Sequence, residues 1–69
     1  MPSDLKRSVS IAGHRTSISL EPEFWEALQA LAVIRGMPFA ALVAEIDRTR
    51  GQRNLSSAIR VAVLRSQQG

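Results

Sequence analysis

Arg15-Thr16-Ser17-Ile18-Ser19-Leu20 is a stretch in which polar and apolar side chains alternate. Because neighbouring side chains of a strand point to opposite faces, the odd-numbered residues form a polar face and the even-numbered ones a largely apolar face. A strand cannot exist alone in water, because its backbone donors and acceptors need partners. The nearest candidate partner is the same strand of a second copy, so the stretch predicts a strand at about residues 14–20 that pairs two chains.

The size of the chain makes an additional source of stability necessary. A chain of 69 residues forms one small domain, and such domains are commonly supported by disulfides, metal or oligomerisation. The absence of cysteine excludes disulfides, and one histidine cannot form a histidine-only metal site, so we expect no metal and no cofactor. Oligomerisation remains, and an apolar content of 45% provides surface for it.

The same composition bears on location. The lack of cysteine fits a reducing cytoplasm, and the start of the chain, Met1-Pro2-Ser3-Asp4, lacks the apolar run of a signal peptide. No apolar stretch approaches the roughly 20 residues that a membrane-spanning helix needs. We therefore expect a cytoplasmic protein with no membrane association.

The net charge of +3 is unevenly distributed along the chain. Residues 1–20 carry three cations and one anion, residues 21–47 one cation and five anions, and residues 48–69 five arginines and no acid. Basic ends around an acidic middle allow one positive surface to face a polyanion. Ordinary solvated surface is an equal alternative for any single arginine.

Residues 1–7 are expected to form a flexible basic arm, because three of the first four residues are poor formers of helix and strand. Lys6 and Arg7 are candidates for contacts with phosphates, and a solvated terminus is the alternative. His14, the single histidine, can contact a phosphate or a base, and a polar loop residue is its alternative.

Residues 8–12 also alternate, but their apolar parity is odd, whereas that of the main strand is even. The change falls at Gly13, and a glycine within a strand pattern indicates a bulge or bend. Either one strand runs from Ser8 to Leu20 with a bulge at Gly13, or residues 8–12 form a separate extended segment. Both interpretations fit a single domain over residues 8–69.

Three helices follow the strand. Pro22 suits the first position of a helix, and Gly36 stands where a left-handed cap is common. The second helix begins after Met37-Pro38 and stops at Gly51, and Asn54 is a plausible N-cap of the third, with Ser56 or Ser57 as alternatives. The predicted helices cover about residues 22–35, 38–49 and 55–66.

Apolar residues at helical spacing give these helices wide buried faces, wide enough to suggest packing against a second copy. Phe24 and Trp25 are assigned to this core rather than to base stacking. The predicted dimer core consists of Thr16, Ile18, Leu20, Phe24, Trp25, Leu28, Leu31, Leu42, Val43 and Ile46. An enzyme is not expected, because no nucleophile–base pair and no metal-ligand cluster is present.

The order of a basic-edged strand, a helix, a glycine turn and a second helix resembles the ribbon-helix-helix family of DNA-binding proteins. The likeness rests on the strand quoted above, on Glu21-Pro22-Glu23-Phe24-Trp25-Glu26-Ala27-Leu28, on Arg35-Gly36-Met37 and on the apolar positions of the second helix. It extends over about residues 6–66. The opening Lys-Arg-Ser-Val…Gly-His-Arg-Thr-Ser-Ile-Ser-Leu and the segment Asn-Leu-Ser-Ser-Ala-Ile-Arg are similar to a bacterial subgroup with a third helix.

The resemblance implies a mainly α-helical fold with one short strand per chain and an intertwined homodimer. Its two strands would form an antiparallel intermolecular ribbon that enters the major groove of double-stranded DNA. Carried over by position, Arg15, Ser17 and Ser19 would contact bases, Arg15 by two hydrogen bonds to guanine. The candidates for contact with the DNA backbone are Lys6, Arg7, His14, Arg35, Phe39 and Ala40.

Two departures from the family pattern bear on function. The turn before the second helix reads Met37-Pro38-Phe39-Ala40, without the hydroxyl that commonly helps to hold a phosphate, and the third helix is additional. The leading hypothesis is a sequence-specific DNA-binding dimer that acts as a transcriptional repressor. The third helix then has three alternative roles: in the dimer core, in a higher assembly on DNA, or in contact with a protein partner. The alternative is an antitoxin-like or adaptor dimer whose third helix docks a protein partner.

Overall fold

A computed structural model describes residues 5–11 and 13–68, which form two strands followed by three helices. The strands pair as a two-stranded antiparallel sheet, and the helices pack against one face of it. The elements are β1 (Leu5–Ile11), β2 (His14–Leu20), α1 (Pro22–Ile34), α2 (Phe39–Thr49) and α3 (Leu55–Gln68).

The two strands form a hairpin within one chain. Their register runs from Leu5 opposite Leu20 to Ile11 opposite His14. Gly13 lies in the short connection with a φ of 84°, a left-handed conformation that glycine adopts without a steric penalty. The change of parity left two interpretations open, a single bulged strand or two separate segments. The structure shows the second, because β1 and β2 are separate strands.

The hairpin corrects two expectations. The chain contains two strands instead of one, and β1 of the same chain gives the backbone of β2 a partner. Residues 5–7, assigned above to a flexible arm, belong to β1, where the Leu5 carbonyl accepts a hydrogen bond of 3.0 Å from Trp25 Nε1. Residues 1–4 of the expected arm lie outside the described residues. Pairing of β2 with a second copy stays a prediction.

Backbone hydrogen bonds end α1 in a Schellman motif. The Met37 N–H donates to the Ala32 carbonyl and the Gly36 N–H to the Val33 carbonyl, both at 3.0 Å, and Gly36 has a φ of 66°. At the other end of the helical layer, the Ser57 N–H donates to Asn54 Oδ1 at 2.8 Å, so Asn54 is the N-cap of α3. These two devices set where the chain turns between helices.

The core lies between the inner face of the hairpin and the three helices, and one chain builds it. Its fully buried side chains are Ile18, Leu20, Trp25, Leu28, Leu42, Val43 and Ile59. Seven of the ten residues predicted for a dimer core are buried in this chain: Ile18, Leu20, Trp25, Leu28, Leu42, Val43 and Ile46. The other three, Thr16, Phe24 and Leu31, are partly buried. The burial of these residues needs no second copy, so their role in a dimer stays a prediction.

The third helix completes this core. It contributes Ala58, Ile59 and Val63, all buried, and packs against both α1 and α2.

Within the described part of the chain no helix is long and apolar enough to cross a membrane by itself. Only α1 and α2 taken together reach such a length, and they are bent by 102° relative to each other.

Candidate nucleic-acid interface

The outward face of the hairpin is polar across both strands. Residues directly opposite one another in a sheet share a face, and the register places Lys6 opposite Ser19, Ser8 opposite Ser17, and Ser10 opposite Arg15. Of the intervening residues, Val9, Ile11, Ile18 and Leu20 are buried against the helices. We call the outward set the polar face; its members are Lys6, Ser8, Ser10, Arg15, Ser17 and Ser19.

All three predicted base-contacting residues lie on the polar face. Arg15 and Ser17 are exposed, and Ser19 is partly buried. Strand β1 adds two serines, Ser8 and Ser10, that the sequence interpretation did not select. The signal was the change of parity: the register pairs even-numbered residues of β1 with odd-numbered residues of β2, so the even residues of β1 extend the polar face.

The side chains of the polar face are available to a ligand. Across residues 5–11 and 13–68, the side-chain hydrogen bonds and ion pairs of the protein involve none of the six. A guanidinium can donate two hydrogen bonds to guanine, and a serine hydroxyl can donate or accept. A ribbon of seven residue pairs is roughly 20 Å long, and the major groove admits a two-stranded ribbon.

The two basic residues of the expected arm have different environments. Lys6 lies on the polar face, whereas Arg7 is opposite Ile18 and so belongs to the other face. The Arg7 guanidinium lies over the Trp25 ring, 5.2 Å from its centroid, which is a cation–π contact. Lys6 therefore presents its charge on the polar face, while Arg7 helps to hold β1 against α1.

The start of α2 lies beside β1. Phe39 shares a groove with residues 7–10 of β1, and its ring centroid is 6.0 Å from that of Trp25. Pro38 is the N-cap and provides no side-chain hydrogen bond, and the Leu42 N–H makes the first helical bond, to the Pro38 carbonyl at 3.1 Å. The amides of Phe39 and Ala40 therefore have no helical acceptor and can donate to an anion.

Arg35 and His14, the other backbone candidates, are placed apart. Arg35 forms an ion pair of 2.7 Å with Glu45, and the two side chains are 45% and 35% exposed. Exposed pairs of this kind contribute at most about 1 kcal/mol, so a phosphate can compete for Arg35. His14 is exposed at the start of β2 and, with Arg50 and Asn54, lines a depression at the tip of the hairpin.

One arginine of the basic C-terminal region is tied to the fold. Arg60 Nε donates to Glu21 Oε1 at 2.9 Å, which joins α3 to the residue before α1. A backbone hydrogen bond to the Glu21 carboxylate, followed by the bond from Arg60, holds the pKa of Glu21 below its ordinary value. Arg60 also lies 5.9 Å from the Phe24 ring centroid. The Arg60 guanidinium is therefore engaged in contacts within the fold.

Metal binding requires a grouping of ligand side chains. In the part of the chain that the structure describes, no three histidine or acidic side chains gather as metal ligands. The site consists of a hydroxyl-rich strand face with two cations, flanked by the free amides of a helix N-terminus.

Comparison of the chain with family models finds a match. The model described as a ribbon-helix-helix domain matches residues 5–67, which is nearly the whole chain. Comparisons with curated proteins and with solved structures give no match.

Proposed function

We propose that this chain, which belongs to the ribbon-helix-helix family, is a sequence-specific DNA-binding homodimer that represses transcription in the bacterial cytoplasm. The family in general is one of DNA-binding transcription regulators, and its domains are typically not enzymes. The observation that carries the proposal is the polar face, whose six side chains are directed away from the core and lack partners within the described chain.

In this proposal the polar face reads bases and its surroundings hold phosphates. Arg15, Ser17 and Ser19 contact base edges in the major groove, with Ser8 and Ser10 beside them. The DNA backbone is held by Lys6, by His14 at the tip of the hairpin, by Arg35 once it is released from Glu45, and by the free amides of Phe39 and Ala40.

A second copy has two surfaces to use. The sheet has two strands, so β2 pairs only with β1 in the described chain and keeps one edge open to the β2 of another copy. Val33 (79% exposed) and Ile34 (80%) near the carboxyl end of α1, and Leu64 (57%) of α3, are large apolar side chains in solvent that a second copy can cover. Both surfaces support the proposed dimer.

The test is selection of bound oligonucleotides from a random pool by the full chain, repeated at two salt concentrations. Enriched half-sites with a fixed spacing are expected from a dimer that reads sequence. Arg15→Ala should weaken binding to the selected site by about 1–3 kcal/mol and relax its selectivity at one position.

Arg48→Ala is the matched control, because it removes the same charge from the last turn of α2, at a residue that does not belong to the polar face. It should leave the enriched sequence unchanged. A steep loss of binding with salt but no enrichment would show backbone attraction only and would contradict specific recognition.

The alternative is an antitoxin-like or adaptor dimer that docks a protein partner on α3. Ribbon-helix-helix domains also occur in antitoxins, and the exposed Leu64 on α3 favours this reading. Removal of α3 would expose the core around Ile59, so a surface change is the better test. Under this alternative, Leu64→Gln abolishes capture of the partner while DNA binding is retained; unaltered capture would exclude this surface.

A further inference from the structure

A second positively charged feature lies outside the polar face, where the end of α2 meets α3. An open depression of about 320 Å³ is bordered there by Arg50, Arg53 and Arg65. Its wall includes Ile46 of α2 and Ala62 of α3. We propose that this arginine depression binds a phosphate group.

The first argument is charge. Arg50 is paired with Asp47 at 2.7 Å, but none of the carboxylates that the structure describes lies within 4 Å of Arg53 or Arg65. Two uncompensated guanidinium groups at one depression repel each other, and an anion between them removes that repulsion. The apolar wall excludes water from one side, which strengthens the attraction.

The second argument is that part of the site is already held in place. Arg50 Nη1 donates to the Arg53 carbonyl at 2.8 Å, and the Arg53 N–H donates to the Arg50 carbonyl at 3.2 Å. Gly51 has a φ of 64°, which allows the chain to turn tightly between them. Because these bonds order the loop before any ligand arrives, binding loses less conformational entropy.

The chemistry of the border selects the class of ligand. A guanidinium donates paired N–H groups that match the oxygens of phosphate, and several guanidinium groups favour an anion with more than one negative charge. Such a phosphate can belong to a DNA backbone or to a small phosphorylated molecule. The site rests on its own residues and not on base recognition by the polar face, so either proposal can fail without the other.

The test is a titration of the full chain with inorganic phosphate, followed by amide NMR shifts, with chloride added to keep the ionic strength constant. Saturable shifts are expected at Gly51 and Arg53. Arg53→Gln combined with Arg65→Gln should lower the phosphate affinity at least about tenfold, because two of the three guanidinium groups are lost.

Arg48→Gln is the control, because Arg48 is exposed at the end of α2 but does not border the depression. It should change the phosphate affinity less than about twofold, since only screened long-range attraction is lost. Shifts that do not saturate, or an equal weakening by the control, would overturn the proposal.

Addition of a random-sequence DNA duplex then identifies the source of the phosphate. Displacement of inorganic phosphate from Gly51 and Arg53 would assign the depression to the DNA backbone. Retention of phosphate while DNA is bound, or in a chain that binds no DNA, would assign it to a small phosphorylated molecule. Either result is compatible with the site itself.

Discussion

The hairpin and the arginine depression present positive charge in different ways. The polar face has two cations among four serines, on a rigid pair of strands. The depression brings three arginines around one hollow at the junction of two helices. Base edges are distinguished by hydrogen bonds in fixed positions, whereas phosphates are held by charge and by hydrogen bonds that are the same for every sequence.

This difference separates two kinds of effect on DNA binding. Substitutions on the polar face should change which sequence is bound. Substitutions at the arginine depression, if it holds DNA, should weaken binding to all sequences and reduce its dependence on salt. A net charge of +3 would by itself give no reason to expect this division.

The largest effect is expected where the hairpin is attached to the helices. Trp25 is 2% exposed, donates to the Leu5 carbonyl and carries the Arg7 guanidinium over its ring. Trp25→Ala should therefore lower the free energy of unfolding by about 3–5 kcal/mol, measured by urea denaturation. The hairpin would no longer be held against the helices. The polar face could then not be compared with the arginine depression.

Trp25→Phe is the control for the indole donor. It keeps a ring beneath Arg7 but leaves the Leu5 carbonyl without this partner, so a smaller loss of about 1–3 kcal/mol is expected. If Trp25→Ala cost less than about 1 kcal/mol, β1 would not depend on this contact.

A substitution at Ile59 tests whether α3 is an essential part of the core. Its side chain is fully buried, so Ile59→Ala should destabilise the protein by about 2–5 kcal/mol in the same denaturation assay. Leu64→Ala, on the exposed side of the same helix, should stay within about 0.5 kcal/mol. Equal costs at the two positions would mean that α3 contributes nothing special to the core.

The contrast between the two regions also marks what sequence could predict. The alternation in residues 15–20 predicted an outward set that includes Arg15 because period-two alternation is a local property. The partner of that strand was not predictable, since Gly13 fitted a bulge and a turn equally well. Only the backbone register shows that Ser8 and Ser10 join the polar face.

Long-range side-chain contacts were also out of reach. Spacing within one element cannot show that Arg7 lies over Trp25 or that Arg35 pairs with Glu45. The arginines after α2 were visible as a basic segment, but their arrangement around a hollow depends on how α2 and α3 pack. Sequence patterns thus predict the faces of elements, and packing decides which charges remain free.

A smaller effect is expected at the cap that positions the loop of the arginine depression. The Ser57 N–H donates to Asn54 Oδ1 at 2.8 Å at the start of α3. Asn54→Ala should lower the free energy of unfolding by about 1 kcal/mol and increase hydrogen exchange in the first turn of α3. Asn54→Asp, which keeps an acceptor, is the control and should cost less. Equal losses would show that the cap is unimportant.

The smallest effect concerns Glu21, the residue through which the end of the hairpin is joined to Arg60 of α3. The lowered pKa means that the ionised carboxylate stabilises the fold above the ordinary value of 4.5 and that this contribution is lost as the pH falls through the lowered pKa. Glu21→Gln should therefore flatten the pH dependence of unfolding below about pH 4.5 and leave it unchanged near neutrality. Arg60→Gln, which removes the partner cation and keeps the Glu21 carboxylate, should flatten the same part of the profile less, because the backbone hydrogen bond to that carboxylate remains. If Glu21→Gln retained the full pH dependence, ionisation of Glu21 would not stabilise the fold. The contact between Glu21 and Arg60 would then not link the stability of the hairpin to that of α3.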